Sequence, residues 1–347
     1  MRCPTLETLP PPPEGRTGWP WTEACDPLPA VNNQPRITIV IPSYNQADYI
    51  EETLRSILLQ GYPNLELLVE DGASDDGTLE VLRRYDAWAD WRSEPDRGQG
   101  HAINKGFARA TGDVVTFISS DDLYLPGTFA DVAANLKDGL DGVGAVIGAF
   151  RHVDAMSRPK SSGAIPPRLP GTRLENTAEK AGPFDLYLAE PESWRLHQEA
   201  TFYVRKALDV VGREVREDLP YNMDRELVIR LVGRFPVILS PRCYASFRWH
   251  EESATTGGGR GKAHLEYAGL FAAHAAALPA AQKRQAQRVA RRHQAKALLT
   301  VARYSAEKRV SFAALGRALL AEPSLVWQRR YLRVWSEALG IVGRPGM

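Results

Sequence analysis

Gly112-Asp113-Val114-Val115-Thr116-Phe117-Ile118-Ser119-Ser120-Asp121-Asp122 is the stretch from which the rest of the chain can be read. Val114 to Ile118 form a short apolar, β-favouring run bounded by a glycine and a polar cluster, which predicts a buried strand. Two adjacent carboxylates then fall at its carboxyl end, where open α/β sheets bind their ligands. Neighbouring carboxylates repel unless a cation neutralises them, and hard oxygen ligands suit Mg²⁺ or Mn²⁺. Such an ion neutralises a diphosphate and stabilises it as a leaving group. The plainer alternative is an acidic turn in which Asp122 caps the next helix.

Working outward, the pattern repeats. Arg36 to Pro42 predicts a strand, Asp48 to Leu59 a helix, Leu65 to Val69 a strand and Leu79 to Tyr85 a helix. A short strand near Trp91–Glu94 and a helix from Ala102 to Ala110 lead into the opening strand. Strands alternating with helices predict crossover-connected parallel pairing. Each strand runs into polar chemistry: Asp71 after the second, Arg97 beside Gly98 at a helix start, then Asp121 and Asp122. An acidic residue at the end of the second strand suits a nucleoside base or ribose, and an Arg beside a glycine turn suits a phosphate. Neither a G-x-G-x-x-G nor a Walker sequence is present, which excludes a standard dinucleotide site and a P-loop.

Ile39-Val40-Ile41-Pro42-Ser43-Tyr44-Asn45, Glu70-Asp71-Gly72-Ala73-Ser74-Asp75-Asp76-Gly77-Thr78, Arg97-Gly98 with Asn104-Lys105-Gly106, and Ser120-Asp121-Asp122 occur in order over about ninety residues. Together they resemble a family 2 glycosyltransferase with the glycosyltransferase-A fold. The resemblance implies an α/β architecture: a Rossmann-like, mainly parallel mixed sheet flanked by helices, with a helical C-terminal region. It implies a UDP-, GDP- or dTDP-linked sugar donor, an inverting transfer to a hydroxyl on a glycan or lipid-linked acceptor, and a role in polysaccharide or glycoconjugate synthesis. Pro42, Tyr44, Asn45, Asp71, Arg97 and Asp121 are the implied donor contacts. Asp122 is the implied ligand of Mn²⁺ or Mg²⁺, and His250, in Phe247-Arg248-Trp249-His250, a second ligand.

Further along, Thr128 to Leu136 predicts a helix and Val143 to Phe150 a strand, followed by a surface loop over Ser157–Thr172. Trp194 to Phe202 resembles the family's segment before its acceptor-side strand. In Asn222-Met223-Asp224-Arg225-Glu226-Leu227-Val228-Ile229-Arg230, Asp224 matches the family's catalytic base; its alternative is a helix N-cap. An inverting transfer needs such a base for the acceptor hydroxyl. Gln198, Glu226 and Arg230 belong to the acceptor side on this reading. Glu226 replaces a more usual Asp, and Val228 stands where an aromatic is common. No nucleophilic triad is evident, and inversion needs none. A nucleotidyltransferase would want a basic, Gly-rich phosphate loop near the N-terminus, which Ser43–Gln46 is not. A non-catalytic sugar-nucleotide or glycan binder should have lost Asp122 or Asp224, and both are present.

Composition frames the ends. The 347 residues carry a net charge of +1, but from Arg260 onward 16 Lys+Arg face 4 acidic residues, leaving +12 there and −11 in the remainder. Cys3, Cys25 and Cys243 lack metal-type spacing, which fits a reducing compartment. No signal peptide or spanning run is legible. The expected organisation is a Pro-rich arm over 1–34, which its tryptophans would dock, and a catalytic domain over 35–256. That domain has a nucleotide-sugar half at 35–135 and an acceptor half at 136–256. A mobile Gly-rich loop and basic helices make up 257–347. Helices are expected over Ala263–Ala277, Ala280–Tyr304, Ser311–Leu320 and after Pro323. Trp327, Tyr331 and Trp335 share a helix face, so these helices either pack as a cap or lie on an anionic membrane. The expected location is cytoplasmic, with a peripheral position at the inner membrane face as its extension. No nucleic-acid module is seen.

Overall fold

The computed structural model describes residues 3–31, 34–160, 179–181, 197–250, 280–304, 308–327 and 329–339, with a few positions between 263 and 273. The chain divides into two compact units, Met1–Trp249 and His250–Met347.

The first unit is built on a sheet of nine described strands. β1 (Ile37–Ser43), β2 (Leu65–Asp71), β3 (Asp90–Ser93) and β4 (Val114–Phe117) are all parallel, in the order β3-β2-β1-β4. Every residue of β1 and β4 is buried, as expected of strands covered on both faces. The chain winds from β1 out to β3 and then returns to place β4 on the other side of β1. The gap between the ends of β1 and β4 is therefore a topological switch point, where such sheets bind ligands. Two glycines let this half close up. A Cβ on Gly106 of α3 (Gln99–Arg109) would collide with Val40 of β1, and one on Gly112 would crowd Thr38.

Beyond β4 the sheet changes character. β8 (Thr201–Val204) lies antiparallel between β4 and β6 (Ala145–Asp154), and β6 pairs parallel with the long β9 (Val237–Trp249). β5 (Leu123–Tyr124) and β7 (Glu179–Ala181) pair antiparallel with β9. Parallel pairing is thus concentrated in the first half.

β9 has no counterpart in the sequence expectations, because Pro241 interrupts its pattern and a proline argues against a central strand. The structure accommodates it at an irregularity, where the register jumps from Ile147–Leu239 to Ala149–Cys243. Opposite this kink Gly148 leaves room for the Tyr244 ring, which a Cβ would strike.

α1 (Ile50–Leu58) is buried on every side, including Glu51, Glu52 and Arg55. The Pro-rich arm meets it at Arg55, whose guanidinium lies 5.4 Å from the Trp21 ring centroid, and Leu9 and Trp21 of the arm are buried. Arg55 holds the arm, donating to the carbonyls of Pro10 (2.8 Å), Pro20 (3.1 Å) and Trp21 (2.9 Å). A buried guanidinium is tolerable only when its donors are met this way. The helices α2 (Thr78–Arg84), α4 (Thr128–Asn135), α5 (Arg205–Val211) and α6 (Met223–Val232) complete the described part of this unit.

In the second unit, helices Ala280–Tyr304, Lys308–Ala321 and Arg329–Leu339 share an apolar core that includes Leu299, Leu315, Tyr331 and Val334. Trp335 packs against that core, 5.4 Å from Phe312 between ring centroids. The aromatic face expected on the last helix is therefore turned inward at Tyr331 and Trp335. No described helix is long and apolar enough to cross a membrane. The expected loops Ser157–Thr172 and Thr256–Gly261 and the helix Ala263–Ala277 lie largely or wholly outside the described residues.

Candidate active site

The loops after β1 and β2 lock together at the switch point. Asp71 ends β2 fully buried and accepts from the Ser74 backbone N–H (2.9 Å), the Ser74 hydroxyl (2.5 Å) and the Ser93 hydroxyl (2.7 Å). Asn45 sits at φ +50, a conformation asparagine adopts more readily than most residues. Its side chain exchanges hydrogen bonds with Asp75, and its backbone N–H donates to Ser74 Oγ. Pro42 is a buried β1 residue, whereas Tyr44 is 61% exposed over this floor. Arg97 is also exposed, and its guanidinium forks onto Glu217 at 2.9–3.1 Å, tying the start of α3 to the loop that precedes α6.

The acidic turn after β4 is held from beneath by α1 and β9. The Thr53 hydroxyl lies 2.8 Å from the carbonyls of both Ser120 and Asp122. Arg248 is 1% exposed, and its backbone N–H donates to Asp122 Oδ1 at 2.7 Å. Its side chain reaches the Asp121 carbonyl (2.6 Å), Ala155 O, Ser157 Oγ and Glu52 (3.1 Å). Asp122 is 1% exposed as well, and its Oδ2 receives no hydrogen bond from a donor group. Instead a third carboxyl, Glu199, lies against it.

Burial pushes the Asp122 carboxyl well above its ordinary range, and the charges of Asp121 and Glu199 add to the effect. Burial also works upward on Glu199, but the His197 hydrogen bond and charge, its own backbone N–H and the Asp122 carboxyl outweigh it and bring it down. One proton on Asp122, facing an ionised Glu199, is the arrangement this favours. His197 Nδ1 lies 3.1 Å from Glu199 Oε2, and its ring stacks on Phe150 with centroids 3.6 Å apart. Trp249 Nε1 donates to His152 Nδ1 at 2.9 Å, and burial followed by the His197 charge lowers the His152 pKa, keeping it neutral.

Asp224 stands in the first turn of α6, half-buried. Burial raises its carboxyl, and Glu199 adds to the rise. Arg225 and His197 pull partly the other way. Glu199 thus acts electrostatically on both Asp122 and Asp224, and the structure brings those two sequence-predicted carboxylates into one field.

Other predicted residues are engaged elsewhere. Gln198 is buried, donating to Phe117 O (2.7 Å) and accepting from the Tyr203 hydroxyl (2.7 Å), so it ties a 3-10 turn to β4. Arg230 pairs with buried Glu226 (2.8 Å) and donates to the carbonyls of Val211, Gly212 and Glu214, bracing the loop before α6. His250 belongs to the second unit. Two residues that hold the site, Glu199 and Arg248, escaped the sequence assignment although both lie inside the quoted motifs. The signal lay in a carboxylate and a guanidinium set among aromatic and β-favouring residues, where burial demands a partner.

A parallel half-sheet with acidic strand ends at its switch point, joined to a mixed half that brings up a carboxylate-bearing helix, is the glycosyltransferase-A architecture. Residues 38–189 match the model described as Glycosyl transferase family 2. TuaG of Bacillus subtilis, whose name assigns it to teichuronic acid biosynthesis, is 40% identical over 98 residues, 27% of this chain and 38% of TuaG. An uncharacterized glycosyltransferase of Nostoc is 30% identical over 123 residues, 34% of this chain and 37% of that protein. These matches therefore span well under half of the relatives' own length. Among solved structures, S. aureus TarS 1-349 superposes with a TM-score of 0.58 at 18% identity, covering 88% of each chain. The mannosyltransferase PcManGT of Pyrobaculum calidifontis, solved with GDP-Man and Mn²⁺, gives 0.55 at 22% identity, covering 92% of this chain and 91% of that one. At such identities the likeness is one of fold.

Proposed function

We propose that this protein transfers a sugar from a nucleotide-diphosphate donor to an acceptor hydroxyl with inversion at the anomeric carbon, in polysaccharide or glycoconjugate assembly. The observation that carries the reading is the pair of carboxylates, Asp122 and Asp224, held on separate elements and both acted on by buried Glu199. In this reading Asp224 accepts the acceptor's hydroxyl proton while that oxygen attacks the anomeric carbon. The bond to the diphosphate oxygen breaks on the opposite face, and its electron pair leaves with the nucleoside diphosphate. A carboxylate raised by burial is a stronger base than one in water. Tyr44 and Asp71 line the nucleoside end, Asp121 is assigned to the ribose or sugar, and Arg97 exchanges Glu217 for donor phosphate.

The residues fit a divalent cation in one respect: Asp122 Oδ2 is a buried hard oxygen that no hydrogen-bond donor satisfies. Among the described residues no ready-made group of three His, Cys, Asp or Glu side chains surrounds a single point. Asp122 is therefore the residue we assign to a Mn²⁺ or Mg²⁺ ion. When bound, such an ion would neutralise the diphosphate. We further propose a cytoplasmic enzyme whose basic C-terminal helices face an anionic membrane surface.

The test is donor binding and turnover across UDP-, GDP- and dTDP-sugars, with and without Mn²⁺. One donor should bind in a metal-dependent way, Asp122→Ala should lose that binding, and Asp224→Asn should bind but not turn over. Failure of every nucleotide sugar to bind overturns the proposal.

A further inference from the structure

At the β5 edge of the first unit lies a cavity of about 420 Å³, lined by Trp19, Leu125, Arg151, Ser157, Arg242 and Ser246 among others. Its described lining contains none of the residues assigned to the donor, although Leu123 follows Asp122 directly in the chain. Its arginines differ from those packed against the sheet elsewhere. Arg55, Arg109, Arg230 and Arg248 each spend their guanidinium on carbonyls or carboxylates. Arg151 donates through Nε to the buried Ser246 hydroxyl at 3.0 Å, which fixes its orientation. Its two terminal nitrogens have no acceptor among the described residues. Arg242, at the kink of β9, has no side-chain hydrogen bond or ion pair among them either, although its backbone N–H donates to Ser240 Oγ. Space for its guanidinium is provided at Gly127, where a Cβ would stand 3.0 Å from an Arg242 Nη.

Among the described residues no Asp or Glu lines the cavity. One wall is the Trp19 indole, immobilised by donation from Nε1 to Tyr124 O at 2.9 Å. Two guanidiniums in one lining, with terminal nitrogens unpaired among the described residues and no carboxylate in the described lining, match the oxygens of a phosphate better than any neutral group. The tryptophan and Leu125 add an apolar wall for whatever carries the phosphate.

We propose that this cavity is a second anion site, taking a phosphate or diphosphate group attached to an apolar or planar body. Arg151 and Arg242 bind the oxygens and Trp19 packs against the body. The Ser157 rim connects it to the donor turn, because Ser157 bonds to Arg248 (2.8 Å) and Glu52 (2.6 Å), and Arg248 holds Asp122.

The experiment is calorimetric titration of the full chain with inorganic pyrophosphate without metal. In that condition the metal-dependent donor crevice of the proposed function does not hold a diphosphate, so Asp122→Ala should bind pyrophosphate as wild type does. Wild type should bind, and Arg151→Gln/Arg242→Gln should bind at least about tenfold more weakly, the usual scale for losing charge-assisted bonds. Arg242→Gln alone, at an exposed side chain, gives the same direction if the double variant folds poorly. Pyrophosphate should also slow maleimide labelling of Cys243, which lines the cavity, and leave Cys3 labelling unchanged. Repeating the titration with a water-soluble short-chain phosphatidic acid separates the two sources of such a group. Tighter binding than pyrophosphate assigns the site to a lipid headgroup, and weaker binding to a soluble phosphate. Equal pyrophosphate affinity in wild type and the arginine variants, or no binding to wild type, overturns the proposal.

Discussion

The backbone N–H of Arg248 donates to Asp122 Oδ1 at 2.7 Å, while Asp122 Oδ2 meets Glu199 and no donor. Residues 126 positions apart are thus joined so that one carboxylate oxygen is fixed and the other is left for a proton or a cation.

Asp122→Asn should stabilise the fold near pH 7, by roughly 1–3 kcal/mol, the usual cost of a buried polar group left unmatched. The sign follows from the raised folded-state pKa: as pH climbs past the unfolded value of 3.8, the unfolded chain ionises and the native one resists, so native stability falls. The amide removes that penalty and can still donate to Glu199. Thermal melts of wild type and variant from pH 3 to 8 should converge at the acid end, and a uniform loss of stability in the variant contradicts the assignment.

Mn²⁺ should bind more tightly as pH rises, because the cation must displace the proton that burial keeps on Asp122. Titration at pH 6 and pH 8 in two buffers of different ionisation enthalpy should reveal proton release, and Asp122→Ala should abolish both binding and release.

Asp224→Asn should lower kcat by about 10²–10⁴ with donor affinity retained. Wild-type kcat/KM should fall on the acid side at a pH above that of an ordinary carboxylate, because burial raises Asp224. Glu199→Gln removes a charge that raises it further, so the acid limb should move to lower pH. A limb unmoved by Glu199→Gln argues against this coupling.

Arg55→Met should cost about 3–5 kcal/mol, since the carbonyls of Pro10, Pro20 and Trp21 lose their common donor in a buried site. Limited proteolysis should then cut within residues 10–21, where wild type resists.

Gly106→Ala should destabilise by about 1–3 kcal/mol, because its new methyl runs into Val40. Gly139→Ala, which has open space around it but a φ of +116, provides a control in which strain acts without a collision. The two melting temperatures separate close packing of α3 on β1 from backbone preference.

Much of the first half was legible because its signals are local. Val114 to Ile118 read as a buried strand from composition alone, and the structure has it over Val114–Phe117; Asp71 ends its strand, and Asp121-Asp122 come within five residues of the end of theirs. The second half was harder. β9 hides behind Pro241, whose tolerance depends on a register jump against β6. Gln198 looked like an acceptor contact but is consumed by Phe117 and Tyr203, partners that only the fold brings near.

By itself the sequence determined the order of strands and helices, the acidic strand ends and the basic tail, since alternation, turn residues and charge are properties of neighbours along the chain. Only the tertiary structure decided that Glu199 joins Asp122 and influences Asp224, that Arg248 secures the acidic turn, and that the arm is fastened by Arg55. Each of these depends on which distant groups share a buried space, and in a low-dielectric interior a charge is governed by what it meets there.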